Sequence, residues 1–82
     1  MAGVEIELGL TQIFREVLRD ESFVLAPDVR LDDIPGWDSL KLVTAGLDAE
    51  ARFGIELPTH ELDRLCTVGD VIALIRRKLA GS

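Results

Sequence analysis

Asp38-Ser39-Leu40-Lys41-Leu42-Val43-Thr44-Ala45-Gly46-Leu47-Asp48-Ala49-Glu50-Ala51-Arg52-Phe53-Gly54 is the stretch on which the fold turns. It reads as one helix, Ser39 to Phe53, with a signal at each end. Asp38 is an N-cap: its carboxylate can accept from the unpaired N–H groups of the first turn, which places Ser39 inside that turn. Gly54 can take the left-handed backbone that closes a helix. Leu40 and Leu47, seven residues apart, share one face and are either core or an exposed apolar strip. Ala45, Gly46 and Ala49 form a small-residue patch. Gly46 costs about 1 kcal/mol relative to Ala inside a helix, so close packing or useful interior space should compensate.

Upstream, Leu10, Ile13, Phe14, Val17 and Leu18 fall at i, i+3, i+4, i+7 and i+8, predicting an amphipathic helix over about 8–20. Between these helices lie about eighteen residues without a sustained period, including Pro27, Pro35 and Gly36, and loops of that length tend to be functional. Val24, Leu25, Val29, Leu31 and Ile34 are expected to pin the loop to the helices. Downstream, Ile55-Glu56-Leu57-Pro58 is a short extended link and Thr59–Leu65 allows two helical turns at most. Thr67-Val68-Gly69-Asp70 resembles a capping box with Asp for Glu. It opens a helix over 68–80 with Val68, Val71, Ile72, Ile75 and Leu79 on one face. Arg76-Arg77-Lys78 close that helix, where cations suit the dipole. Three long helices, one short helix and no strand pattern give an all-α chain.

With 82 residues, 48% apolar and 29% charged, the expectation is one domain spanning 1–82. A chain of this size buries only about 60% of its unfolded surface, which leaves little room for a deep catalytic pocket. A net charge of −6 argues against nucleic acid. The longest apolar run, Val71 to Ile75, is five residues, far short of a membrane span. The N-terminus lacks the basic-then-apolar pattern of a secretory signal. A single cysteine, Cys66, fits a reducing cytoplasm. Residues 1–38 hold nine acids and three bases, whereas 39–82 hold six of each. That acidic half either keeps a small protein soluble or steers basic partners.

Enzyme constellations are missing. His60 and Cys66 are single, no Cys/His spacing suits zinc or another metal, and the glycines are too scattered for a phosphate loop. His60 is expected to face solvent or cap the short helix. Cys66, between helices, is expected to be a small buried hydrophobe. One local feature remains: Ile34-Pro35-Gly36-Trp37-Asp38-Ser39-Leu40 sets a serine hydroxyl at the junction of the long loop and a helix N-terminus. An anionic group is favoured there. On Asp38-Ser39-Leu40 alone, the simpler reading is that Asp38-Ser39 serves only as a cap.

Gly36-Trp37-Asp38-Ser39-Leu40 resembles the Gly-x-Asp-Ser-Leu attachment motif of acyl carrier proteins. Phe53-Gly54-Ile55-Glu56-Leu57-Pro58 is similar to that family's Phe-Gly-Ile-x-[Ile/Leu]-Pro continuation, and Thr67–Ile72 is similar to the opening of its last helix. The likeness covers about 8–80. It implies a four-helix bundle with a short third helix. It also implies a 4′-phosphopantetheine arm on Ser39, with Asp38 and Leu40 completing the motif. A phosphopantetheinyl transferase would add the arm from coenzyme A, and its thiol would hold an acyl group as a thioester. Tethering would raise the cargo's local concentration at each docked enzyme. The implied partners are that transferase, an acyl- or aminoacyl-loading ligase or transferase, and downstream synthase or tailoring enzymes. They would act on a monomer, with Trp37, Leu40, Lys41 and Leu47 as docking residues; Trp37 could instead anchor the loop against the bundle. The resemblance also allows the small-residue patch to make room for cargo inside the bundle.

Carriers of fatty acid synthesis usually have a strongly acidic second helix. Here Lys41, Asp48, Glu50 and Arg52 sum to zero, and Lys41 stands where an acid is common. The departure points to a specialised, polyketide-like pathway. An aminoacyl or peptidyl carrier, or an interaction module without the arm, are the alternatives.

Overall fold

The computed structural model describes residues 3–81. Four helices follow in order: α1 (Gly3–Leu18), α2 (Ser39–Phe53), α3 (Thr59–Leu62) and α4 (Val68–Gly81), with a single 3-10 turn at Leu31–Asp33 in the long loop. Among the described residues no β-strand forms; the sole ladder-like pairing is an isolated antiparallel bridge between Arg30 and Thr67. The chain is all-α. α1 packs on α2 and on α4, and α3 packs on α2.

The core follows the apolar periods. Ile6, Leu10, Ile13 and Phe14 from α1 meet Ala45 and Ala49 of α2, Leu62 of α3, and Val68, Ile72, Leu74 and Ile75 of α4, all buried. α1 begins five residues before its predicted start. Gly9, inside the helix, lies so close to α2 that an added Cβ would come within 2.8 Å of the Phe53 ring. The helix ends at Leu18, earlier than predicted, in a Schellman turn. Arg19 takes a left-handed φ of 55°, with Arg19 N–H donating to Glu16 O and Asp20 N–H to Arg15 O. α2 runs from Asp38 as N-cap to Gly54 at φ 66°. α3 is one turn long, followed by the turn residues Asp63 and Arg64.

The long loop is stitched to the start of α4. Leu31 N–H donates to Cys66 O, Val68 N–H to Val29 O, and Gly69 N–H to Pro27 O, at 2.8–2.9 Å. The Thr67–Asp70 capping box forms: Thr67 Oγ1 accepts from Asp70 N–H, and Asp70 Oδ2 accepts from the N–H groups of Thr67 and Cys66. Leu31 and Ile34 are buried and Leu25 and Val29 pack partly against the core, as pins should. Val24 is not a pin, being 74% exposed. Cys66 is exposed as well. Its backbone is used in the staple, and its short side chain is left outside.

Candidate functional site

The loop enters α2 through a tight turn. Pro35 fixes its second position and Gly36, at φ 82°, supplies the left-handed third, while Trp37 N–H donates to Ile34 O at 3.0 Å. That is the chemistry of a type II turn. It delivers Trp37 onto the core: its ring stacks on Phe14 at 5.3 Å between centroids and 21°, and Phe14 in turn packs against Phe23 at 5.4 Å. Trp37 is thus half-buried and anchors the loop. Of the four residues expected to dock partners, it is the one whose ring faces the protein's own interior.

Asp38 has an extended backbone, and its Oδ1 accepts from Lys41 N–H at 2.9 Å. Asp38 alone is therefore the cap. Ser39, the first helical residue, is exposed, and the cap does not require its hydroxyl. Leu40 and Leu47 stand 73% and 61% exposed on the outer face of α2. Val43 joins them at 39%. It went unremarked in the sequence, although positions 40, 43 and 47 have helical spacing. Lys41 is half-buried, with Nζ 3.9 Å from Asp38 Oδ2. His60, at the start of α3, is exposed.

The inner face of α2 explains its small residues. A Cβ on Gly46 would lie 2.8 Å from Leu62 Cδ1, so Gly46 is there to admit α3. Beside this contact is a wholly apolar cavity of about 20 Å³, bordered by Leu10, Phe14, Trp37, Leu57, Leu62 and Ile75 among others. That volume is about what one water occupies, too small for an acyl chain in this conformation.

Three carboxyls are held below the ordinary range, all away from Ser39. Asp20 accepts from the Ser22 hydroxyl and N–H, Glu61 from Lys78 Nζ at 2.8 Å, and Asp70 from the N–H groups of Cys66 and Thr67. Among the described residues no group of three His, Cys, Asp or Glu could hold a metal ion, and no helix is long and apolar enough to cross a membrane. The surface around Ser39 fits a covalent arm. An exposed hydroxyl residue stands at a helix start already capped by its neighbour, so a group bonded to it displaces nothing from the core.

Residues 9–75 match the family model described as the phosphopantetheine attachment site. The chain is 36% identical over 73 residues to the meromycolate extension acyl carrier protein of Mycolicibacterium aurum, covering 89% of this chain and 75% of that one. It is 40% identical over 60 residues to an acyl carrier protein of Thermotoga maritima, covering 73% of each. The solution structure of a holo acyl carrier protein from Geobacter metallireducens superposes with a TM-score of 0.81 at 37% identity, over 92% of this chain and 86% of that one.

Proposed function

The chain belongs to the acyl carrier protein family of phosphopantetheine-bearing proteins, and from that premise we propose that Ser39 is the residue to which its arm is attached. The arm, covalently bound 4′-phosphopantetheine, supplies a terminal thiol that holds an acyl group as a thioester. The observation that carries the assignment to Ser39 is its place: an exposed serine at the first position of α2, behind a cap that Asp38 makes alone. In the priming step the Ser39 Oγ attacks the β-phosphorus of coenzyme A. A P–O bond to serine forms, the pyrophosphate bond breaks, and 3′,5′-ADP leaves. The serine proton passes to a base of the transferase, while Asp38 serves as the helix cap, its Oδ1 accepting from the Lys41 N–H.

Partner enzymes dock on α2, where Leu40, Val43 and Leu47 form an apolar strip leading away from Ser39, flanked by Lys41. Two features support a specialised lipid or polyketide-like pathway. Relatives are named for meromycolate extension, and the charges of α2 sum to zero, leaving little for a basic partner patch to read.

The test is intact mass after incubation with a broad-specificity phosphopantetheinyl transferase and coenzyme A. The parent is expected to gain one phosphopantetheine and Ser39→Ala none. A folded parent that gains nothing while a control carrier is modified sinks the assignment.

A further inference from the structure

Between Arg30 and Arg52 the sequence has one cation, Lys41, among Asp32, Asp33, Asp38, Asp48 and Glu50. Its two nitrogens are engaged unequally. The backbone N–H is hydrogen-bonded to Asp38 Oδ1 at 2.9 Å, whereas Nζ stands 3.9 Å from Oδ2. The second distance is beyond hydrogen-bond range, so charge attraction alone holds the ammonium at the start of α2. Partly exposed pairs without a hydrogen bond contribute little and exchange readily. Asp38 would remain satisfied by the Lys41 N–H if the ammonium left.

A phosphodiester on Ser39 changes this end of the helix. It adds a permanent negative charge next to Asp38, on the loop side that already has the exposed Asp32 and Asp33. Side chains two apart on a helix do not face each other, so Ser39 and Lys41 can meet only over the helix end. That is where Nζ already stands, drawn toward the N-cap carboxylate. The unpaired N–H groups of the first turn favour an anion at the same place.

We propose that Lys41 is the positioning residue of the arm: its ammonium leaves Asp38 for the non-bridging oxygens of the Ser39 phosphodiester and holds the arm's root over the N-terminal end of α2. This rests on Ser39 as the attachment residue. The arm then leaves the protein in a preferred direction beside the Leu40 end of the apolar strip, and a partner docked on that strip meets it there.

The chain has two lysines, which makes the test direct. Lys78 is paired with Glu61 at 2.8 Å between α4 and α3 and serves as the internal reference. Apo and holo protein are prepared with 13C at the lysine ε-carbons, and mass confirms the arm. On priming, the Lys41 ε-CH2 resonance is expected to shift while that of Lys78 stays. The shift should collapse at about 1 M salt, where the screening length is about 3 Å. The 31P resonance of the holo protein should move in Lys41→Gln and return in Lys41→Arg, with unchanged melting of the apo variants showing that the fold is intact. An arm present by mass with Lys41 unmoved, or a 31P signal indifferent to Lys41→Gln, overturns the positioning role and leaves the carrier reading standing. Absence of the mass gain removes both.

Discussion

Arg19 and Gly54 both end a helix in the left-handed region, at φ 55° and 66°, and only one of them is glycine. An L-residue there costs about 1–2 kcal/mol, while glycine loses about 0.5–1 kcal/mol more chain freedom on folding. The two sites should therefore respond with opposite signs. Gly54 has nothing within 4 Å of an added Cβ, so Gly54→Ala tests the backbone alone and is expected to lose about 1 kcal/mol. Arg19→Gly is expected to gain about 0.5 kcal/mol, since Arg19 is exposed and its side chain holds nothing in the Schellman turn. Urea midpoints at unchanged slope read both. A loss in Arg19→Gly as well would mean that contacts of the Arg19 side chain, and not its backbone conformation, set the end of α1.

Among elements, two glycines inside helices separate packing against a loop from packing against a helix. Gly69 lies in the first turn of α4, where an added Cβ would come within 2.9 Å of the Pro27 carbonyl oxygen. That oxygen is fixed, because it accepts the Gly69 N–H at 2.8 Å and Val68 N–H holds Val29 beside it. Gly69→Ala is expected to lose about 1–2 kcal/mol despite the better helix former, because overpacking against backbone has no relief. Gly46→Ala meets Leu62 Cδ1, the end of a side chain next to the small cavity, so Leu62 can yield. There the helix-propensity gain of about 1 kcal/mol offsets the contact, and the net change should stay within about 0.5 kcal/mol by thermal melts. A Gly46→Ala loss as large as that of Gly69→Ala would show that α3 cannot shift. These contacts also explain what was legible beforehand. α2 could be read to the residue because both its signals, the Asp38 cap and the Gly54 stop, are local. The Thr67–Asp70 box was legible for the same reason. The start of α1 was not, since its first turns are held by Ile6 packing into the core, a contact between distant parts of the chain. The exposures of Val24 and Cys66 depend on how the loop lies over the bundle, which no local pattern encodes. That Asp38 does the capping alone, leaving the Ser39 hydroxyl out of the cap, required the geometry.

For the whole molecule, charge sets two opposing responses to pH. The net −6 at pH 7 resides in residues 1–38, with nine acids against three bases, so the folded chain repels itself at neutrality and should gain stability with added salt. Acid acts through other groups. Asp20, Glu61 and Asp70 have folded pKa values below their ordinary ones, so the unfolded chain binds more protons across that window. Their contribution is present above the ordinary carboxylate range and is lost as pH falls through the lowered folded values. Urea midpoints at low salt should therefore hold or rise slightly from pH 7 toward the sequence pI of about 4.6, then fall below about pH 4. Salt should lift the neutral side without abolishing the acid fall. Asp70 is the member with structural reach, because Oδ2 accepts from Cys66 and Thr67 N–H where the long loop is stapled to α4. Asp70→Asn should therefore lower stability at pH 7 and flatten the acid fall, meeting the parent only once the pH has dropped below the lowered folded value of Asp70, where both lack the charge. A gap that persists there would mean that Asp70 holds the staple by shape and hydrogen bonding, independent of its charge.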